Sequence, residues 1–174
     1  ECRGVKILSQ LGRLLLIVNT IQGLIPVDTE PSRKEKSMQS DKARFCDKVA
    51  IVLGVSNENS IGGAVAGRLI REGAKVIVTA RTAEKVDAVA SKIGAVGEVC
   101  EIADERQVGE LADKAIERYG RLDVAVNCAG LALMGYIDST SEEVLREAVD
   151  VHLIGPFFFI KHMARVMESG GAIA

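Results

Sequence analysis

The stretch Leu53-Gly54-Val55-Ser56-Asn57-Glu58-Asn59-Ser60-Ile61-Gly62-Gly63-Ala64-Val65-Ala66 decides how the chain folds. Before it stands the apolar run Val49-Ala50-Ile51-Val52-Leu53, which reads as a buried strand. After it, Ile61, Val65, Leu69 and Ile70 fall on one face of a helix. A strand that turns through glycine and small polar residues into a helix forms a cradle for an anion. Gly54 permits the tight turn, and Ser60 is placed to cap the helix. The free N–H groups of the first helical turn and the helix dipole both favour negative charge there. Gly62 and Gly63 let the helix lie close to the strand and to a ligand.

Outward from this turn, strand and helix alternate. The pattern predicts strands over residues 75–80, 96–102 and 122–127. The first helix, about Ser60 to Glu72, closes at Gly73. Thr82 is expected to cap a helix carrying Val86, Val89, Ala90 and Ile93, which Gly94 stops. Asp104 and Gln107 form a capping box, and Gly120 ends the helix they open. A second box, Thr140 and Glu143, opens a long helix to about Glu168, with a kink at Pro156 after Gly155. Residues 171–174 read as the opening of a fifth strand. Strands separated by such helices predict an α/β fold, a doubly wound parallel sheet in three αβα layers, incomplete at the C-terminus. Ligands of such sheets bind beyond the carboxyl ends of the strands, where strand order reverses. The first turn and the end of the fourth strand flank that crevice.

The 174 residues suffice for one domain with a sizeable core, and 48% hydrophobic with 26% charged residues is ordinary for an α/β protein. A net charge of −2 argues against nucleic acid or an anionic membrane as the main partner. Cys2, Cys46, Cys100 and Cys128 are scattered, so no metal site or disulfide framework is expected; reduced, mostly buried thiols are. Residues 1–44 read as an extension and linker, and residues 45–174 as a dinucleotide-binding domain. The apolar Leu14-Leu15-Leu16-Ile17-Val18 is too short to span a bilayer, and residues 31–42 lack periodicity. Arg3, Lys6 and Arg13 before the apolar run faintly resemble a targeting peptide, while Met38 offers an alternative start. A cytoplasmic protein is expected.

Asn127-Cys128-Ala129-Gly130, taken with the first turn, resembles the short-chain dehydrogenase/reductase family. Gly120-Arg121-Leu122-Asp123 and Val149-Asp150-Val151-His152-Leu153 with Gly155-Pro156-Phe157 extend the resemblance over about residues 47–174. It implies a Rossmann-like fold, an NAD(P) cofactor, a small-molecule substrate and a homodimeric or homotetrameric parent. It places Asn127, Ala129 and Gly130 along the adenosine side; a pyrophosphate is expected on the Ile61 and Gly62 amides with the Ser60 hydroxyl assisting, and Gly54 and Ser56 are expected among the cofactor-binding residues. Asn127 equally serves to tie the fourth strand to its neighbours. Glu101 and Ile102 stand where the family has its adenine contact. At the end of the second strand, Ala80 replaces the acid that would bind a ribose 2′-hydroxyl, and Arg81 follows. A missing carboxylate and an added cation favour NADP(H) over NAD(H).

Three features depart from the family pattern. The first turn is two residues longer, with Ser60 in place of glycine, which is similar to enoyl-acyl-carrier-protein reductases. An enoyl-thioester reductase is therefore the alternative to a carbonyl/alcohol oxidoreductase, and a non-catalytic dinucleotide-binding domain is a third reading. His152 stands at the family's Asn, as a proton carrier or as a core histidine among Val151, Leu153 and Ile154. His162 reads as solvated, and Phe157, Phe158 and Phe159 as packing. The family's Ser and Tyr-x-x-x-Lys are missing: Tyr119 and Tyr136 have Asp123 and Thr140 four positions on. The chain is expected to be the cofactor-binding front half of a dehydrogenase, inactive alone.

Overall fold

The central strand β1, Val49–Leu53, is buried along its whole length. A computed structural model describes residues 44–132, 135–168 and 170–174, so nearly all of the predicted extension lies outside the described residues. In it, β1 pairs with β2 (Lys75–Ala80) on one side and β4 (Val124–Asn127) on the other. Ile51 stands opposite Ile77 and Ala125. β3 (Val96–Val99) joins β2, and β5 (Ala172–Ile173) joins β4. Every pairing is parallel and the order is β3-β2-β1-β4-β5. Strand order reverses between β1 and β4, as the alternating pattern implies.

Successive residues of β1 feed two cores, because side chains alternate across a sheet. Val49, Ile51 and Leu53 pack with Val108, Leu111 and Ala115 of α3 (Glu105–Tyr119) and with Phe159 and Met163 of α5 (Gly155–Val166). Ala50 and Val52 pack with Ala66 and Leu69 of α1 (Ile61–Arg71) and with Val86, Val89 and Ala90 of α2 (Ala83–Ile93). These are the three layers. Arg44 closes the N-terminal side by donating to the Glu72 carboxylate.

Several local expectations need correction. β3 ends at Val99 rather than Ile102. The Cys100 amide still bonds the Ala80 carbonyl at 3.0 Å, but the Asp104 amide then turns back to the Glu101 carbonyl at 3.1 Å. Asp104 caps α3 as expected, accepting from the Gln107 amide at 3.1 Å. Gln107 does not complete a box. Its Nε2 donates to Asp104 Oδ2 and its Oε1 accepts from the Glu101 amide at 3.0 Å. Thr82 occupies the cap position of α2 without a side-chain cap bond. β4 starts at Val124 rather than Leu122, since the Asp123 carboxylate takes the Val49 amide at 3.0 Å.

Residues 132–145 group apart from residues 146–174 and the preceding sheet strands. There, Thr140 Oγ1 donates to the Tyr136 carbonyl at 2.8 Å instead of capping a helix. α4 is Glu142–Val149, with Ser141 Oγ accepting from the Val144 amide at 3.4 Å. The long helix breaks at a π-turn, Asp150–Ile154, and resumes as α5 with Pro156 in its first turn. A proline there needs no amide partner, and the wide turn removes the clash that would arise inside an unbroken helix.

His162 is not solvated. It lies between α3 and α5 with its side chain 17% exposed and Nε2 3.3 Å from Glu105 Oε1. Gly109 leaves it room: a Cβ there would sit 3.2 Å from the ring. Of the three phenylalanines, Phe159 is buried, Phe158 packs on the core and Phe157 is exposed.

Thr79 in β2 is fully buried, and its hydroxyl has no hydrogen-bond partner. An unpaired buried hydroxyl costs about 1–3 kcal/mol. Thr79→Val replaces it with a methyl of similar shape. We expect the variant to be more stable by about 1 kcal/mol in a urea titration, with an unchanged denaturant slope.

Candidate functional site

The carboxyl ends of β1, β2 and β4 and the loop after β3 enclose a cavity of about 360 Å³. It opens at the reversal point of the sheet. Its floor is the turn after β1. Gly54 there has φ +88°, and a Cβ would fall 2.4 Å from the Ala129 amide nitrogen. The Gly54 and Val55 amides both donate to the Thr79 carbonyl, and the Cys128 amide donates to that of Leu53 at 2.7 Å. Three strand ends are thereby held backbone to backbone. Gly62 makes the matching approach from α1, where a Cβ would lie 2.9 Å from the Gly54 carbonyl oxygen. Only glycine fits either position.

Gly54, Ser56, Arg81, Glu101, Ile102, Ala129 and Gly130 line this cavity, so most of the residues singled out from sequence are brought together. Ser60, Ile61, Gly62 and Asn127 are not in its wall. Ser60 is the N-cap: its hydroxyl donates to the Asn57 carbonyl at 2.6 Å and accepts from the Gly63 amide at 3.1 Å. That hydroxyl is thus engaged within the turn. The first intrahelical bond runs from the Ala64 amide to the Ser60 carbonyl. The Ile61 and Gly62 amides precede it, at the positive end of the helix. Asn127 Oδ1 accepts from the Ala129 amide at 2.9 Å, so Asn127 shapes the wall from behind.

Sequence reasoning passed over Thr82, Lys85, Cys100, Leu131 and Val151, which also line the cavity. Lys85 carried a usable signal: it lies one helical turn past Arg81. Burial pushes the Cys100 thiol up to about 12, and burial also raises Cys128, so both stay protonated at neutral pH. Of the described cysteines, Cys100 is buried, Cys128 half-buried and Cys46 exposed. Arg81 and Lys85 have no hydrogen bond or ion pair among the described residues, whereas most other cations there are paired with carboxylates.

His152 is exposed, not a core residue. Its Nε2 lies 2.9 Å from the Leu131 carbonyl oxygen and 3.2 Å from the Leu131 amide. In either neutral tautomer the ring engages that backbone. The π-turn is what presents His152 to the loop after β4.

Among the described residues, no cluster of His, Cys, Asp and Glu is arranged to hold a metal, and no helix is long and apolar enough to cross a membrane. The cavity offers a backbone floor at Gly54, Ala129 and Gly130 and two cations, Arg81 and Lys85, that have no partner among the described residues. These fit a phosphorylated ligand of extended shape.

Comparison with known proteins agrees with that geometry. A family model described as Enoyl-(Acyl carrier protein) reductase matches residues 54–174. The short chain dehydrogenase/reductase nsrJ of Aspergillus novofumigatus is 37% identical over 136 residues, covering 75% of this chain and 51% of that protein. A 3beta-hydroxysteroid dehydrogenase of Mediterraneibacter gnavus is 34% identical over 137 residues, covering 75% and 49%. The crystal structure of a dehydrogenase/reductase from Sinorhizobium meliloti 1021 superposes with a TM-score of 0.70 at 31% identity, covering 76% of this chain and 54% of that one. The chain belongs to the short-chain dehydrogenase/reductase family, with its Rossmann-like three-layer fold. It spans about half the length of the curated relatives it matches.

Proposed function

We propose that this chain is the cofactor-binding part of an NADP(H)-dependent oxidoreductase acting on a carbonyl or alcohol. The observation that carries the reading is the end of β2. Ala80 and Arg81 line the cavity where a carboxylate would select NAD, and Arg81 has no partner among the described residues. Bound, the nicotinamide would supply or accept a hydride. The residues of this chain bind and orient. The glycine floor admits the cofactor backbone to close approach, and the Ile61 and Gly62 amides meet the pyrophosphate. Ala129 and Gly130 line the adenosine side, with Glu101 and Ile102 at the adenine. His152 holds the Leu131 backbone. A cytoplasmic homodimer or homotetramer is the proposed setting.

The test is a pair of titrations. The chain should bind NADPH at least about tenfold more tightly than NADH. Arg81→Asp should reverse that preference, since the new carboxylate repels a 2′-phosphate and accepts from a 2′-hydroxyl. An unchanged ratio would exclude Arg81 from cofactor choice.

An enoyl-thioester reductase is the second reading. Two observations favour it: the description of the matched family model and the six-residue step from Gly54 to the Ser60 cap. The parent reading frame separates the two. A Tyr-x-x-x-Lys preceded by Ser supports the carbonyl/alcohol reading, and a six-residue Tyr-to-Lys spacing supports the enoyl reading.

A further inference from the structure

We infer that Lys85 is a second specificity-determining residue, reading the 2′-phosphate of NADP(H) beside Arg81. The inference rests on the NADP(H) reading above and adds a residue to it. Lys85 is the third residue of α2 and lines the same cavity as Arg81 and Thr82. Side chains of a helix lean toward its N-terminus, which here means toward the turn after β2. Lys85 therefore extends along the face that carries Arg81 and Thr82, four and three positions earlier.

Three further facts argue that this lysine serves a ligand rather than the helix. First, no carboxylate stands one turn away. Positions 81, 82, 88 and 89 are Arg, Thr, Ala and Val, so no intrahelical ion pair is possible at those spacings. Second, Lys85 has no hydrogen bond or ion pair among the described residues, in contrast to Lys92 on the same helix, which holds Glu58 at 2.9 Å. Third, a cation in the first turn opposes the helix dipole, so it costs the free protein stability unless an anion is bound there. The Thr82 hydroxyl makes no cap bond and is also free to donate. Glu101 is the one carboxylate on the cavity wall, against the two cations Arg81 and Lys85.

The experiment uses the whole 174-residue chain. Dissociation constants for NADPH and NADH are measured by nicotinamide fluorescence for the natural chain, Lys85→Met and Lys85→Arg. Lys85→Met should weaken NADPH about tenfold and NADH by less than about twofold. Lys85→Arg should restore NADPH to within about twofold, because charge rather than ammonium shape is read. The salt dependence of NADPH binding should flatten in Lys85→Met while that of NADH does not move. If Lys85→Met weakens both cofactors equally, or neither, while the natural chain still prefers NADPH, Lys85 has no part in specificity and the cofactor reading stands. If the natural chain shows no preference for NADPH, the cofactor reading itself is overturned, and this inference with it.

Discussion

Gly54→Ala is expected to abolish dinucleotide binding and to lower folding stability by about 3 kcal/mol or more. Two costs combine at this position. At φ +88° an L side chain is strained, by about 1–2 kcal/mol for alanine. The new Cβ would also lie 2.4 Å from the Ala129 nitrogen and 2.6 Å from its Cα. Those are backbone atoms of the loop after β4, so no side chain can swing away. Relief requires β1 and β4 to part at their carboxyl ends, which opens the cavity floor. Gly94→Ala provides the control. It has φ +75°, and nothing lies within 4 Å of its Cβ position. It should show only the conformational cost, about 1 kcal/mol, and leave cofactor binding unchanged. Chemical denaturation of both variants gives the difference, and equal losses would show that the close approach to Ala129 carries no cost.

Asp123→Ala should be nearly as damaging to stability, by about 3 kcal/mol, from the opposite end of the sheet. The Asp123 carboxylate is buried and accepts from the Val49 amide, Lys48 and Arg121. Burial alone would raise its pKa. The hydrogen bonds from Arg121, the Val49 amide and Lys48 outweigh that and hold it at about 2, below the ordinary 3.8. Alanine leaves a buried amide and two cations unanswered. The depressed pKa also fixes the pH dependence. The unfolded chain takes up the proton first, so the stabilisation is fully present above about pH 4 and is lost as pH falls toward about 2. A shift of this size corresponds to ~2 kcal/mol. Asp123→Asn should therefore flatten the acid limb of a stability-against-pH curve, and an unaltered limb would show that other carboxylates control acid unfolding.

How much was legible in the sequence varied with the range of the interaction concerned. Hydrophobic periodicity and glycine stops placed the strands and helices, because β1 is apolar on both faces and Gly73, Gly94 and Gly120 each adopt positive φ at a helix end. Ends decided by side chains competing for backbone were not legible. The Asp123 carboxylate takes the place of a strand partner for Val49, and Gln107 turns to the Glu101 amide. His162 looked solvated because a sequence does not show that Gly109, 53 residues earlier, leaves a slot for it. Gly54, Arg81 and Ala129 line one cavity because the motif residues stand at strand ends. Lys85 stands out less, because a lysine on a helix is ordinarily a solvated one.

The placement of β1 between β2 and β4 also orders the folding of the chain. Pairing Ile51 with Ile77 closes a loop of 26 residues, while pairing Ala50 with Val124 closes one of 74. The longer closure costs about 1 kcal/mol more in chain entropy. The β1–α1–β2 unit is therefore expected to assemble first, carrying the glycine turn, and β4 to dock on it afterwards. Asp123 bridges the two, joining the sheet only as β4 arrives. Its removal should accelerate unfolding far more than it slows folding. The cradle thus forms early, and the wall that completes it is the part most readily released.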